Sequence, residues 1–478
     1  MRRNRRVKIL ATLGPSSREL ETITALFRAG ADIFRINMSH ASHEEMRRLV
    51  GIIRDVERRE GRPIGILVDL QGPKLRIGSF AQENVDLEAG QDFVLDSEES
   101  PGDEGRVFLP HPEVFGALKP GHRILLDDGR VRLRVKEVKG GQASTEVVSG
   151  RRLSDRKGVS LPDSVITAGI LTPKDRRDLE VALGEAIDWI GVSFLQRPED
   201  VAEVRKVARG KVGILSKIEK PQALERLDEI IDLSDALMVA RGDLGVEMPL
   251  ERVPGVQKRI TRLARAAGKP VVVATQMLES MISAAVPTRA EVSDVATAVF
   301  EGADAVMLSA ESATGAYPVE AVETMNRIAE AVERDPYYGG IVNAQRAEPE
   351  ATGADTITAA ARQIADRLGL AAIVCYTSSG STGVRASRER PTVPIIALSP
   401  VRETARRLSL VWGLHCVVTP DAHDIDDMVD NATRIAFTEG FARPGERIIV
   451  TAGVPFGTPG ATNLLRIAFV GSEGLGAV

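Results

Sequence analysis

Cysteine and long apolar runs are both scarce in this sequence. The 478 residues include only two cysteines, Cys375 and Cys416, which are far apart and lie in strand-like segments. This excludes a disulfide framework and is typical of small buried side chains in a protein of the reducing cytoplasm. No segment reaches the roughly 18 apolar residues that a transmembrane helix requires, so no membrane span is predicted. No apolar segment follows the basic residues 1–6, so an export signal is not predicted either.

A strong excess of one charge is also absent. The formal net charge is −5, with 62 Lys and Arg against 67 Asp and Glu. This balance gives no indication of nucleic acid or an anionic membrane as a partner. The sequence also lacks a Walker phosphate-binding loop and the protein-kinase motifs, which excludes those two kinds of phosphoryl transfer. The length, with 43% hydrophobic and 27% charged residues, predicts a globular protein of two or three domains.

Short apolar runs alternate with segments of helical periodicity through most of the chain. Eight runs in the first part are predicted strands: Lys8–Leu13, Asp32–Met38, Ile64–Leu70, Ala186–Phe194, Val212–Glu219, Ala236–Gly242, Pro270–Gln276 and Ala305–Glu311. Because a helical segment follows most of them, the fold class predicted is α/β with a (β/α)8 barrel, and a doubly wound open sheet is the alternative.

Two further domains are predicted from breaks in this rhythm. Residues 73–158 contain alternating apolar and charged positions and turn signals, which predict a small inserted antiparallel β-barrel domain that acts as a lid. The barrel would then comprise residues 1–72 and 159–340. A loose segment from Tyr337 to Glu350 is a predicted linker. Residues 341–478 are predicted to form an open α/β domain.

Polar residues gather where the predicted barrel strands end. They are Arg35, Asn37, Ser39, Asp69, Lys217, Glu219, Arg241, Asp243, Thr275, Gln276, Ser309 and Glu311. In a (β/α)8 barrel the carboxyl ends of the strands surround one cavity, so this pattern predicts an active site.

The chemistry of this set points to a metal and a phosphoryl group. Side chains two apart on a strand share a face, so Lys217 and Glu219 point together. Glu219 and Asp243 provide two carboxylates for Mg²⁺, which can take its other oxygens from substrate. Arg35 and Lys217 provide fixed positive charge for a phosphoryl group. The alternative is an ion-pair network that only holds the barrel together.

Several long segments resemble one known family. They are residues 8–15 (KILATLGP), 35–40 (RINMSH), 238–247 (MVARGDLGVE), 274–281 (ATQMLESM) and 287–296 (PTRAEVSDVA). On these segments the sequence resembles the pyruvate kinases through nearly its whole length. The resemblance implies transfer of the phosphoryl group of phosphoenolpyruvate to ADP, giving pyruvate and ATP, as the last step of glycolysis.

The resemblance also implies roles for individual residues. Glu219 and Asp243 would hold Mg²⁺ (or Mn²⁺), and Lys217 would stabilise the transferred phosphoryl group. The remaining implied roles are Arg35 at the phosphates, Ala240, Arg241, Gly242, Asp243 and Thr275 at the substrate, Thr275 and Ser309 on the proton path, and Asn37, His40, Asp69, Arg76 and Lys157 on the nucleotide side.

One departure from the family pattern concerns potassium. The segment Asp69–Arg76 carries Lys74 where potassium-requiring members have glutamate. The monovalent-cation region implied by the resemblance comprises Asn37, Ser39, Asp69, Leu70 and Lys74, and the Lys74 ammonium would replace the ion. This variant resembles the potassium-independent branch, so we expect activity without potassium. The alternative is a lysine that extends into solvent.

The predicted C-terminal domain contains a loop that opens a helix after a strand. It comprises Thr377, Ser378, Ser379, Gly380, Ser381 and Thr382. Hydroxyl and N–H groups there can bind phosphate, and the loop resembles the effector-phosphate loop of regulated pyruvate kinases, which implies a sugar-phosphate or nucleotide effector. The alternative is an ordinary helix cap. A homotetramer is an expectation from the family alone.

Two rival functions remain from the sequence. One is another metal-dependent enzyme of the phosphoenolpyruvate and pyruvate barrel group, which would not be expected to carry the inserted lid or the Thr275-Gln276 segment. The other is a catalytically inactive sensor of sugar phosphates, which the presence of Lys217, Glu219 and Asp243 disfavours.

Overall fold

Eight parallel strands close into a barrel in the computed structural model of the chain, which describes residues 2–166, 169–455, 462–471 and 476–477. Numbered along the chain, they are β1 (Lys8–Leu13), β2 (Ile33–Asn37), β3 (Gly65–Asp69), β12 (Trp189–Val192), β13 (Gly213–Ile218), β14 (Ala236–Ala240), β15 (Val271–Ala274) and β16 (Ala305–Leu308). The order around the barrel is β1-β16-β15-β14-β13-β12-β3-β2. The predicted (β/α)8 barrel is confirmed, and the doubly wound sheet is excluded.

Helices surround the barrel. They are α1 (Leu20–Ala29), α2 (His43–Glu60), α4 (Pro173–Ala182), α5 (Pro198–Ala208), α6 (Leu227–Leu233), α7 (Arg241–Glu247), α8 (Val253–Ala266), α9 (Arg289–Phe300), α10 (Ala310–Ala313) and α11 (Pro318–Arg334), with 3-10 turns at Pro221–Leu224, Leu250–Arg252 and Glu279–Ile282. Local sequence determines several starts, because Thr172 and Asp175 form a capping box on α4, and Thr288 and Glu291 form one on α9.

The inserted lid contains the strands between β3 and β12. They are β4 (Asn84–Asp86), β5 (Asp92–Asp96), β6 (Arg106–Phe108), β7 (Arg123–Leu126), β8 (Val131–Lys139), β9 (Gln142–Ser149), β10 (Arg152–Ser154) and β11 (Val159–Ser160), with helix α3 (Pro112–Ala117). β4 pairs with β10, and the other six form one sheet in the order β11-β7-β8-β9-β5-β6.

The lid differs from its prediction in two details. β5 and β6 pair in parallel, so the sheet is mixed rather than wholly antiparallel, and it is open rather than closed into a barrel. β11 pairs with β7, so the lid continues one strand past the predicted boundary at residue 158. Its apolar side chains form a hydrophobic cluster of their own, separate from that of the barrel.

The C-terminal α/β domain is built around a six-stranded sheet in the order β19-β18-β17-β20-β21-β22. Its elements are α13 (Gly353–Leu368), β17 (Ala372–Tyr376), α14 (Ser381–Arg388), β18 (Ile395–Ser399), α15 (Arg402–Leu408), β19 (Leu414–Val418), α16 (Ile425–Thr438), β20 (Arg447–Gly453), β21 (Thr462–Val470) and β22 (Gly476–Ala477). Side chains of this domain, such as Trp412 and Leu414, belong to the same hydrophobic cluster as the barrel helices. The two domains therefore share a core.

The predicted linker is not structureless. It contains helix α12 (Tyr338–Ala344), whose Tyr338 and Val342 are buried. The prediction failed here because two apolar anchors among glycines give too short a pattern for a helix to be recognised. Among the helices that the structure describes, none combines the length and the hydropathy needed to cross a bilayer.

Candidate active site

Lys217, near the end of β13, stands at the centre of a buried polar network. Its Nζ lies 3.2 Å from Asp69 Oδ2 and 2.9 Å from Glu219 Oε1, and it donates to Ser193 Oγ at 2.7 Å. Burial lowers the pKa of Lys217, but the two carboxylates outweigh it and hold the pKa above its ordinary value. The ammonium is therefore kept charged although it is buried.

Asp69, at the end of β3, joins Lys217 to Arg35. Arg35 Nη2 lies 2.6 Å from Asp69 Oδ2, and Arg35 Nη1 donates to Thr12 Oγ1 at 3.2 Å. Burial raises the pKa of Asp69, but the positive charges of Lys217 and Arg35 lower it by more than burial raises it. The pKa of Asp69 is therefore below its usual range. Gly191 on β12 makes room for this carboxylate, since a Cβ there would lie 2.6 Å from Asp69 Oδ1.

Glu219 and Asp243 are the pair predicted to bind a metal. Both line a narrow cavity of about 60 Å³ between the barrel and the lid. Burial and the charge of Asp243 raise the pKa of Glu219 to about 7, against the opposing effect of Lys217. The backbone N–H of Phe194 donates to Glu219 Oε2 at 2.8 Å and fixes its orientation. No group of three or more His, Cys, Asp or Glu residues suited to a metal occurs in the described ranges.

A second cavity of about 660 Å³ opens beside this network. It is lined by Arg35, Asn37, His40 and Ser309, together with residues of the loop after β1. The chain from Arg35 through Asp69 and Lys217 to Glu219 connects the two cavities. The structure therefore brings together a cationic, a hydroxyl-bearing and a carboxylate region, as the strand-end pattern predicts.

The region around Thr275 adjoins Asp243. Gly242 N–H donates to Thr275 Oγ1 at 2.8 Å, and Thr275 Oγ1 donates to the carbonyl oxygen of Ala274 at 2.6 Å. Thr275 has φ 69°, a left-handed conformation that is rare for a β-branched residue and is found at constrained functional positions.

The strand that ends at Ala240 leads directly into α7. Arg241, its first residue, makes an ion pair with Asp294 at 2.7 Å and donates to the carbonyl oxygen of Thr275 at 2.6 Å. The Arg241 guanidinium thus holds the strand ends together, and only the backbone of Arg241 remains for the substrate role that the resemblance implies.

The nucleotide-side residues are only partly assembled. Arg76 is exposed and donates to the carbonyl oxygen of Arg156 at 2.9 Å, while Lys157 pairs with Asp127 of the lid at 3.0 Å. Neither lines the larger cavity that contains Asn37 and His40.

The predicted monovalent-cation region is also spread out. Ser39 lies in a turn beyond β2 rather than on the strand face, and its N–H donates to Asn37 Oδ1 at 3.0 Å. Leu70 is buried. Lys74 is exposed and lines the narrow cavity with Glu219, and its ammonium makes no ion pair with the described part of the chain.

In the predicted phosphate loop of the C-terminal domain, the hydroxyl groups of the two threonines already make hydrogen bonds within the protein. Thr377 Oγ1 accepts from the Gly380 N–H at 2.8 Å, and Thr382 Oγ1 bonds to Thr462 Oγ1 at 2.7 Å. Ser378 and Ser379 are exposed and Ser381 is half-buried, and Ser379 Oγ lies 3.2 Å from Ser381 Oγ.

Sequence reasoning missed four contributors, Thr12, Gly191, Ser193 and Asp294. Each of these residues contributes through contact with a residue far away in the sequence, so the neighbouring sequence does not indicate its role. Ser193 could have been suspected, because it stands at the end of a barrel strand beside other polar strand ends.

Comparisons with known proteins agree with this fold. Residues 4–322 match the family model described as the pyruvate kinase barrel domain, and residues 355–468 match that of the pyruvate kinase alpha/beta domain. A pyruvate kinase from Methylorubrum extorquens is 63% identical over 473 residues, covering 99% of each chain. One from Agrobacterium vitis is 46% identical, covering 98% of this chain and 97% of that protein.

A solved structure agrees as well. The crystal structure of a pyruvate kinase from Cryptosporidium parvum superposes with a TM-score of 0.92 at 31% identity, covering 98% of this chain and 96% of that one. These comparisons do not support the two rival functions, another barrel enzyme and an inactive sensor. They confirm the resemblance to the pyruvate kinases. The chain is a phosphotransferase that belongs to the pyruvate kinase family.

Proposed function

We propose that the chain transfers the phosphoryl group of phosphoenolpyruvate to ADP between the barrel and the lid, without requiring potassium. The observation that carries this proposal is the buried Lys217 ammonium, which touches Asp69, Glu219 and Ser193. A fixed cation at this point stabilises a phosphoryl group that carries its charge on peripheral oxygens.

The donor set of the narrow cavity fits Mg²⁺ or Mn²⁺. Two carboxylates, Glu219 and Asp243, are the ligands that such ions prefer, and substrate oxygens and water would complete the coordination. A bound ion would neutralise charge on the phosphoryl and enolate oxygens.

The other residues have positioning and proton roles in this proposal. Arg35 binds phosphate oxygens, and the backbone at Ala240–Asp243 faces the substrate carboxylate. Thr275 and Ser309 belong to the path that delivers a proton to the enol carbon. Asn37, His40, Arg76 and Lys157 would contact the nucleotide once the lid closes, because Arg76 and Lys157 lie on the lid side.

Replacing Glu219 by glutamine tests the metal site. The variant keeps the shape of the side chain but removes one charged ligand. The Mg²⁺ concentration that gives half-maximal activity should therefore rise by about tenfold or more. Steady-state pyruvate formation measured against Mg²⁺ concentration gives this value. Glu225→Gln is the matched control, because Glu225 is exposed and should leave the value unchanged. An unchanged Mg²⁺ dependence of the Glu219 variant would remove Glu219 from the site.

Potassium independence rests on Lys74. Lys74 lines the cavity that contains Glu219 and Asp243, and its ammonium has no carboxylate partner among the described residues. It can therefore provide there the single positive charge that a monovalent ion would otherwise provide. Pyruvate formation with Mg²⁺ should proceed at equal rates in KCl and in tetramethylammonium chloride.

The Lys74→Glu variant should convert the enzyme to potassium dependence. We expect its rate without potassium to fall by about tenfold or more, because a positive charge at the cavity is replaced by a negative one, and we expect potassium to restore it. Lys119→Glu, an exposed change in the lid, is the control. A natural enzyme that requires potassium, or a Lys74 variant that potassium does not restore, would contradict this role of Lys74.

Regulation and assembly are proposed from the family alone. The exposed Ser378 and Ser379 and the half-buried Ser381 support binding of the phosphate of a sugar-phosphate or nucleotide effector at this loop. A homotetramer in the cytoplasm is the assembly that we propose for the chain.

A further inference from the structure

We propose that Lys174, in the first turn of α4, is a positioning residue for the nucleotide side of the active site. Its ammonium donates to the carbonyl oxygen of Met38 at 2.7 Å. Met38 directly follows β2, and its neighbours Asn37 and His40 line the cavity of about 660 Å³. The inference rests on the function proposed above, because it concerns the residues that would meet ADP.

The turn after β2 is attached to the rest of the barrel through the backbone of Met38. The N–H groups of the three residues after Met38 all bond to Asn37, one to its side-chain oxygen at 3.0 Å and two to its carbonyl oxygen at 3.1 and 3.0 Å. These bonds shape the turn without joining it to another element. The Met38 N–H donates to the carbonyl oxygen of Asp69 at 2.9 Å, and the Met38 carbonyl oxygen accepts from Lys174. The turn is therefore held by β3 on one side and by α4 on the other.

A buried carboxylate holds the Lys174 ammonium in place. Lys174 Nζ also donates to Asp178, which lies one turn further along α4 and has a side chain only 4% exposed. The other oxygen of Asp178 lies 2.8 Å from Nε2 of His43, the first residue of α2. A half-exposed lysine ordinarily moves freely in water, but two acceptors on one side restrict this one. The contact with Met38 is thus part of a connection between α4, α2 and the turn.

The first turn of α4 is itself fixed to a second active-site loop. Asp175 is completely buried, and one of its oxygens accepts from the N–H of Thr172 in the capping box. Its other oxygen accepts from the Gly72 N–H at 3.1 Å, in the loop after β3. Gly72 has φ 69°, and a Cβ there would lie 2.8 Å from the carbonyl oxygen of Ser193, so this loop is tightly packed. Lys174 and Asp175, adjacent in the helix, therefore hold the loops after β2 and β3 respectively.

This arrangement predicts which step of the reaction depends on Lys174. Without the ammonium, the turn is released on its α4 side, and Asn37 and His40 must be ordered when the nucleotide binds. Ordering a loop on binding weakens affinity. Lys174 makes no contact with the network of Arg35, Asp69 and Lys217 in the described part of the chain. The loss should therefore fall on the KM for ADP, and not on kcat or on the KM for phosphoenolpyruvate.

The Lys174→Met variant tests this role. Its KM for ADP should rise by about tenfold, which corresponds to the loss of one hydrogen bond from a charged donor, while kcat should stay within about threefold of the natural value. Steady-state pyruvate formation with ADP varied at saturating phosphoenolpyruvate and Mg²⁺ gives both constants. Arg177→Met is the matched control, because it removes the same charge from an exposed position of α4. Lys174→Arg keeps a charged donor and should keep the KM for ADP within about threefold of the natural value.

Two kinetic results would overturn the inference. One is an unchanged KM for ADP in the Lys174→Met variant. The other is a decrease in kcat and an increase in the KM for both substrates together with a lower melting temperature, because such a general loss would mark Lys174 as a structural residue only. An arginine variant that fails to restore the KM for ADP, although its melting temperature is natural, would also contradict it.

Hydrogen–deuterium exchange separates this inference from the proposed function. A natural chain that forms no pyruvate would contradict the proposed function, but the exchange of the backbone amides of residues 38–41 still decides the role of Lys174. These amides should exchange about tenfold faster in the Lys174→Met variant than in the natural chain and in the Arg177→Met control, because the turn loses an anchor. Equal exchange in all three proteins would overturn the inference.

Discussion

The Lys217→Met variant is expected to form pyruvate with a kcat about a hundred- to a thousandfold below that of the natural chain. Methionine keeps an unbranched stem of similar length and removes only the ammonium that contacts Asp69, Glu219 and Ser193. Arg35 still neutralises Asp69 at 2.6 Å, so the fold should tolerate the change. The charge that faces the transferred phosphoryl group is lost, and the effect should fall on kcat more than on the KM for phosphoenolpyruvate.

Steady-state kinetics at saturating Mg²⁺ and ADP measure this effect. Lys206→Met is the matched control, because Lys206 is exposed on α5 and away from both cavities. Thermal unfolding of both variants shows whether the lysine change alters stability. A Lys217 variant that keeps more than about a tenth of the natural kcat would show that its charge is structural, which is the ion-pair-network alternative.

The Asp32→Asn variant is expected to lose about 3–5 kcal/mol of stability. Asp32 precedes β2 at the end of the barrel opposite the active site, and its side chain is 1% exposed. Its carboxylate lies 2.8 Å from Arg5, 3.4 Å from Arg3 and 3.3 Å from Arg62. Asparagine preserves the shape but leaves these buried guanidinium groups and the nearby Lys8 with less compensating charge.

The pH dependence of this loss has a definite sign. Burial raises the pKa of Asp32, but Arg5, Arg3, Lys8 and Arg62 lower it well below its usual range. A depressed carboxyl pKa contributes stability above the unfolded pKa of about 4, and this contribution is lost as the pH falls toward the folded pKa. The stability difference between the natural chain and the variant should therefore be full at pH 7 and shrink below about pH 4.

Urea unfolding at several pH values measures both quantities. Asp228→Asn is the control, because Asp228 is exposed on α6 and has no ion pair with any described residue. If the variant unfolds at the same urea concentration as the control at pH 7, the carboxylate does not stabilise the amino-terminal end of the barrel.

The barrel could be predicted because its strands are short apolar runs separated by helical periodicity. Their ends were harder to place. The predicted strand Ala236–Gly242 stops at Ala240, because Arg241 begins α7, and the predicted strand Pro270–Gln276 stops at Ala274. At these points polar residues leave the sheet for conformations such as the left-handed one of Thr275, which no local apolar pattern encodes.

The sequence predicted most of the residues that form the candidate site, but it did not predict all of the contacts between them. Lys217 lies near the end of β13 and Glu219 directly follows the strand, and their contact at 2.9 Å agrees with the shared face that a spacing of two predicts. The contact between Lys217 and Ser193 joins two strands, and the sequence alone does not determine which polar groups meet there. Lys74 shows the same limit, since its neighbours depend on how the lid sits over the barrel.

The position of the lid within the chain has a consequence for folding kinetics. β3 and β12 are neighbours in the barrel, with Leu67 beside Trp189, although the whole lid separates them along the chain. Closing such a long loop is entropically costly and slows folding. The two ends of the lid are, however, hydrogen-bonded to each other, since the N–H groups of Ile77 and Val159 donate to the carbonyl oxygens of Lys157 and Leu75 at 3.0 Å. A lid that folds early around its own apolar cluster converts this long connection into a short one, and the barrel can then close as if the insertion were a tight turn.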